Sequence, residues 1–138
     1  MSDDEMKKSI YDACGEAAVA RWWGCFDEWH ERADSDLTAE EVVGPFRVRT
    51  ISDERGCLIL HPDDPDDDIF ILVLAHHMPR FYLVGWLYAR DGKLQQWWGE
   101  KGQRGRPAFY VPQSDLRSMN TLRDDMKNHR KKAKSPAN

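Results

Sequence analysis

The apolar positions of the chain fall into two regimes. Up to residue 31 they recur at spacings of three, four and seven, with Ile10, Cys14, Ala18, Cys25 and Trp29 in one stripe and Val19, Trp23 and Phe26 widening it. That period is helical, and it predicts one long helix over residues 4–31, weakest at Gly15 and Gly24. Residues 32–44 are polar, and "TAEE" from Thr38 resembles a capping box that could open a short helical turn. From residue 45 the period drops to two. In "FRVRTI", Phe46, Val48 and Thr50 alternate with Arg47, Arg49 and Ile51. "SDERG" supplies a turn and "CLILH" a return strand. Residues 44–60 therefore predict a β-hairpin with both arginines on one face of its first strand.

Further on, "PDDPDDD" holds two prolines and five aspartates and predicts a loop. "IFILVLA" is a continuous apolar run, as expected of a central strand buried on both faces. "HHMP" interrupts it, and "RFYLVGWLYA" predicts another strand, with Gly85 marking a bulge or a close approach. "RDGKLQQWWGE" predicts a short helix, "KGQRGRP" a basic loop and "AFYVP" a last short strand. "QSDLRSMNTLRDDMKNH" carries Leu116, Met119, Leu122 and Met126 at helical spacing. The order is helix, four strands, short helix, strand, helix. It predicts a single α/β (α+β) domain over residues 1–126, with the N-terminal long helix packed on a central mixed sheet of about five strands and a C-terminal helix. Residues 127–138 are expected to form a basic flexible tail.

Composition narrows the function. With 138 residues, 41% hydrophobic content and six tryptophans, the chain suits one packed domain. Its net charge of −4 argues against simple coating of nucleic acid. Cys14, Cys25 and Cys57 form no CxxC pair, which argues against a disulfide framework or a structural zinc site and points to a reducing compartment. The opening "SDDEMKK" has no secretory pattern, and "IFILVLA" is too short to cross a bilayer. The expected location is cytoplasmic, with no membrane partner.

Four groups of residues could carry chemistry. Arg47 and Arg49 are either a solvated strand face or an anion patch, because the guanidinium fork suits phosphate and carboxylate. Asp66, Asp67 and Asp68, with Asp63 and Asp64, form the densest charge cluster. They lack the glycine and closing glutamate of a calcium loop. They are read as a solvated loop or as an acidic surface for a basic partner. Trp97 and Trp98, followed by Lys101, Arg104 and Arg106, place rings beside cations, the combination that binds single strands. His76 and His77 have no partners at metal spacing and are taken as structural. If the tryptophan pair is exposed, a homodimer is a further expectation.

Several strings resemble small phage-type proteins related to the PD-(D/E)xK nuclease superfamily: "GEAAVARWWG", "VGPFRVRT", "LILHPDDPDDDIFILV", "FYLVGWLYARDGKLQQWW" and "GRPAFYVPQSDLRSM". The likeness spans roughly residues 15–122 and implies a restriction-endonuclease-like core. In that family an Asp and the triplet acid bind Mg²⁺ and a Lys activates water, in a strand of the form D-x-G-x-x-(E/Q)-V-(K/R)-T. Carried onto "VVGPFRVRT", the motif puts Val42 at the Asp position, Arg47 at the triplet acid and Arg49 at the Lys. Glu16 matches the helix glutamate, and Glu41 fits only if its loop is longer by one residue. An ion pair from Glu16 to Arg47 or Arg49 would stand where the metal stands in active relatives.

The resemblance thus implies a non-catalytic, nuclease-like phage accessory protein, acting on a protein or nucleoprotein partner in the host cytoplasm. An inhibitor of a host defence complex is one such role, and no cofactor is expected. The alternatives are a Mg²⁺-dependent nuclease using Glu16, Glu41 and Asp36, with Arg49 as a weak catalytic candidate, and a nucleic-acid-binding module using Arg47, Arg49, Trp97, Trp98, Arg104 and Arg106.

Overall fold

The structure is a computed structural model that describes residues 3–35, 42–99 and 107–127. The expected turn at Thr38 and the tail beyond residue 127 lie outside the described residues.

The first helical stretch is two helices, α1 (Asp3–Trp23) and α2 (Phe26–Ser35). The long helix expected over residues 4–31 breaks at Gly24, whose φ of +87° is left-handed. Both Gly24 and Cys25 donate their N–H to Ala20 O, at 2.9 Å each. A glycine in this conformation closes a helix because a Cβ would be strained there. The buried stripe also differs from the expected one. Ile10 is 54% exposed, whereas Val19 and Ala20 are fully buried. Beyond the break at Gly24, Cys25 and Trp29 are partly buried and pack against the same core as Val19 and Ala20.

The strands form two sheets in place of the single sheet of about five strands. The first runs in the order β1 (Val42–Val43), β2 (Phe46–Ile51), β4 (Ile69–His77), β5 (Arg80–Tyr88). It is mixed: β2 is parallel to β4, and the other pairs are antiparallel. The second is antiparallel, in the order β3 (Leu58–Leu60), β7 (Ala108–Val111), β6 (Trp98–Gly99). The hairpin expected over residues 44–60 therefore does not form. β4 is buried from Ile69 to Ala75, as its apolar run requires, and such a strand needs a neighbour on each edge. It takes β2 on one edge, with Phe46 opposite Ile69 and Ile51 opposite Leu74, and β5 on the other. β3 is left to pair with β7.

Two cores lie on the two faces of β4. On one face, Phe46, Val48, Ile71 and Val73 pack with Val19 and Ala20 of α1 and with Leu122. On the other, Phe70 and Leu72 pack with Leu58, Leu60 and Val111 of the second sheet. Gly15 of α1 backs directly on Thr50, which sets α1 on the Val48 face of β2.

The C-terminal stretch expected as one helix is mostly turns. Gln113–Asp115 and Met119–Thr121 are 3-10 turns, and residues 122–127 are helical. Between the turns, Arg117 bridges to Trp86, with N–H to O distances of 3.0 and 2.9 Å. Leu116 packs in the second core and Met119, Leu122 and Met126 against the first, so their helical spacing spans two environments. The short helix expected over "RDGKLQQWWGE" is α3 (Ala89–Gly92) followed by a 3-10 turn at Gln95–Trp97.

Candidate functional site

The alternation of β2 sends Arg47 and Arg49 to the face opposite α1, toward Phe70. Arg49 Cζ stands 4.8 Å from the Phe70 ring centre and Arg47 Cζ 5.9 Å. Their carboxylate partners come from the loop that precedes β4. Arg47 Nε lies 2.7 Å from Asp68 Oδ2, and Arg49 Nη2 lies 3.1 Å from Asp64 Oδ1. Arg49 Nη1 also donates to Ile59 O.

That loop is two successive turns. Asp64 N donates to His61 O at 3.0 Å, with Pro62 second in the turn, where its fixed φ suits the geometry. Asp68 N then donates to Pro65 O at 3.1 Å. Asp64 is turned inward and accepts the His61 N–H at 2.7 Å.

A second pair of cations approaches from α3. Arg90 Nη1 is 2.7 Å from Asp67 Oδ1, and Lys93 Nζ is 2.7 Å from Asp66 Oδ1. Lys93 also donates to Pro62 O at 3.0 Å and to Asp64 O. Two backbone bonds tie α3 to the loop, Ala89 N to Asp68 O at 3.0 Å and Arg90 N to Asp66 O at 3.1 Å. Arg47, Arg49, Arg90 and Lys93 thus meet Asp68, Asp64, Asp67 and Asp66 respectively.

The pairs differ in depth. Arg49 and Asp64 have side chains only 16% and 9% exposed, whereas Arg90 and Asp67 are 49% and 91% exposed. Water weakens the Arg90 pair, and the Arg49 pair carries most of the electrostatic consequence.

The structure brings Arg47, Arg49, Asp66, Asp67 and Asp68 into one cluster. Glu16 lies on α1, half-buried, on the other side of β2 from the two arginines. The carboxylate partners described above for Arg47 and Arg49 are the loop aspartates Asp68 and Asp64. Glu41, Asp36, Lys101, Arg104 and Arg106 fall outside the described residues. Trp97 packs against the second core, and the ring of Trp98 is 4.9 Å from that of Phe109. Both tryptophans are half-buried.

Arg90 and Lys93 were not singled out from the sequence, although a signal existed. Antiparallel pairing of β4 with β5 places Ile69 opposite Tyr88. Residues just before 69 and just after 88 must then meet, which joins "DDD" to "ARDGK".

Beside the cluster, Tyr88 OH donates to Asp125 Oδ2 at 2.8 Å, and Arg90 Cζ stands 4.5 Å from the Tyr88 ring centre. Burial raises the Tyr88 pKa above the ordinary tyrosine value, and the bond to Asp125 and its charge push the same way. The Cys57 thiol is also raised, by burial.

Among the described residues, no group of three or more His, Cys, Asp or Glu is arranged to hold a metal ion. No described helix is long and apolar enough to cross a membrane. The fold is a small mixed α+β domain. No family model, curated protein or solved structure matches the chain.

Proposed function

We propose that the chain works by binding a protein or nucleoprotein partner and not by turnover. The observation that carries this reading is the state of positions 47 and 49. The nuclease resemblance assigns them a metal-binding carboxylate and a water-activating lysine. They hold two guanidinium groups instead, engaged by Asp68 and Asp64. A guanidinium is permanently cationic and donates only, so it neither ligates Mg²⁺ nor accepts a proton. Of the carboxylates that the resemblance would supply, only Glu16 lies among the described residues, on the far face of β2. Arg47, Arg49 and Glu16 together do not make a donor set for magnesium. Within this reading, a phage accessory protein that engages a host defence complex is the role the resemblance favours.

The test is a calorimetric titration with Mg²⁺ and Mn²⁺ beside a cleavage assay on plasmid, single-stranded DNA and RNA. The expected result is no metal-dependent cleavage. Cleavage that requires the metal and disappears in Glu16→Ala would replace the binding reading with that of a nuclease.

A further inference from the structure

We propose that Arg47, Arg90 and Lys93 form a cradle for a phosphate-bearing polymer, and that Asp66, Asp67 and Asp68 act as internal ligands that keep it closed. The proposal deepens the binding reading by naming the chemistry of what is bound.

Three observations carry it. First, cations from two separate elements, β2 and α3, converge on three consecutive carboxylates, each at 2.7 Å. A polymer of regularly spaced anions is what such an arrangement accepts, and the loop supplies a short polymer of that kind from within the chain. Second, both arginines are supported independently of the loop. Arg47 lies over the Phe70 ring and Arg90 over the Tyr88 ring, at 5.9 and 4.5 Å. Cation–ring contact holds a guanidinium in place when its carboxylate leaves. Third, the carboxylates are on the water side. Asp66, Asp67 and Asp68 side chains are 65%, 91% and 36% exposed.

Ion pairs open to water, as those of Arg47 and Arg90 are, exchange readily, and Lys93, 15% exposed, is held by Pro62 O and Asp64 O whether or not Asp66 stays. The loop backbone stays where it is, fixed to α3 by Ala89 N and Arg90 N and anchored by Asp64. Only the three outer side chains swing away when a stronger anion competes. Phosphate suits the site better than carboxylate does, because it offers more acceptor oxygens to a guanidinium fork.

The test compares three proteins in fluorescence anisotropy: the native chain, Asp66→Asn/Asp67→Asn/Asp68→Asn, and Asp27→Asn/Asp115→Asn/Asp124→Asn. The last two carry the same net charge. Probes are labelled inorganic polyphosphate, labelled single-stranded DNA and labelled polyglutamate. The loop variant should bind a phosphate polymer about ten-fold or more tighter than the control variant. Three contacts should make that binding fall roughly 20-fold between about 50 and about 200 mM salt. Adding Arg47→Ala and Arg90→Ala should return it to the native level. Preference for polyphosphate or for DNA identifies the source of the phosphates.

Equal binding by the loop and control variants would overturn the proposal, as would tighter binding to polyglutamate. So would absence of phosphate binding by a loop variant whose circular dichroism and melting temperature match the native protein. Phosphate binding without cleavage satisfies both this proposal and the binding reading. Metal-dependent cleavage removes only the latter.

Discussion

Replacing Arg49 with methionine tests whether the inner ion pair holds the acidic loop to the sheet. Methionine keeps much of the length and the contact with Phe70 but removes every donor. Asp64, whose side chain is 9% exposed, then keeps the N–H of His61 and loses its cation. Ile59 O loses its guanidinium donor as well. Breaking a buried pair from one side costs about 3–5 kcal/mol. Arg49 is 16% exposed and the His61 bond survives, so the expected cost is about 2–4 kcal/mol. The same substitution at Arg90, in a pair 49% and 91% exposed, should cost at most about 1 kcal/mol. Urea unfolding followed by tryptophan fluorescence reads both. With an m-value of about 2 kcal/mol/M, Arg49→Met should lower the midpoint by roughly 1–2 M. Adding Asp64→Asn removes the stranded charge and should recover part of the loss, with a coupling of about 1–3 kcal/mol. If Arg49→Met and Arg90→Met lie within about 0.5 kcal/mol of each other at unchanged m, burial does not govern this cluster and the reasoning fails.

Other outcomes follow from the packing. Gly85→Ala would place a Cβ 2.7 Å from Arg117 O and 2.8 Å from Leu116 Cβ, so it should cost about 1–3 kcal/mol and speed amide exchange at Trp86 and Arg117; unchanged exchange there would refute the close approach. Leu122→Ala empties a fully buried position between the C-terminal helix and the sheet and should cost about 2–4 kcal/mol; a loss under about 1 kcal/mol would place that helix off the core. For Tyr88 the folded pKa lies above the unfolded value, so its contribution to stability is complete below the ordinary tyrosine range and is lost as pH rises through the raised pKa. The stability of the native chain relative to Tyr88→Phe should therefore stay level up to about pH 9 and fall as pH rises above about 10. A pH-independent difference in melting temperature would remove the part-buried hydrogen bond to Asp125 as its cause.

The parts legible in the sequence are those set by local pattern. The apolar run Ile69–Ala75 could only be a strand covered on both faces, and it is. The alternation in "FRVRTI" placed both arginines on one face of β2. The misreadings share a different cause. Whether residues 46–51 pair with 58–60 or with 69–74 is decided by which strand most needs neighbours, and a period of two carries no such information. Gly24 looked like a weak point in one helix because propensity does not report the sign of φ. The spacing of Leu116, Met119, Leu122 and Met126 mimicked one helix, while two cores drew Leu116 and the others apart. The site was half legible. Its arginines and aspartates stood out as charge, but their meeting depends on a parallel pairing that local sequence does not encode. Arg90 and Lys93 followed only once β4 and β5 were paired.

The position of the acidic loop explains why one segment can serve both stability and recognition. It leaves the second sheet after Leu60 and enters β4 at Ile69, so it spans the two layers by connectivity alone. Its first half faces inward, where Asp64, 9% exposed, pairs with Arg49 of β2, 16% exposed. Its second half faces water, where Asp66, Asp67 and Asp68 contribute little to the fold because solvent competes for the same cations. Substitutions at Asp64 and at Asp67 should therefore separate cleanly, the first changing stability and the second changing what the surface binds. The gradient from 9% exposure at Asp64 to 91% at Asp67 lets the inner pair fix the loop while the outer carboxylates remain free to exchange.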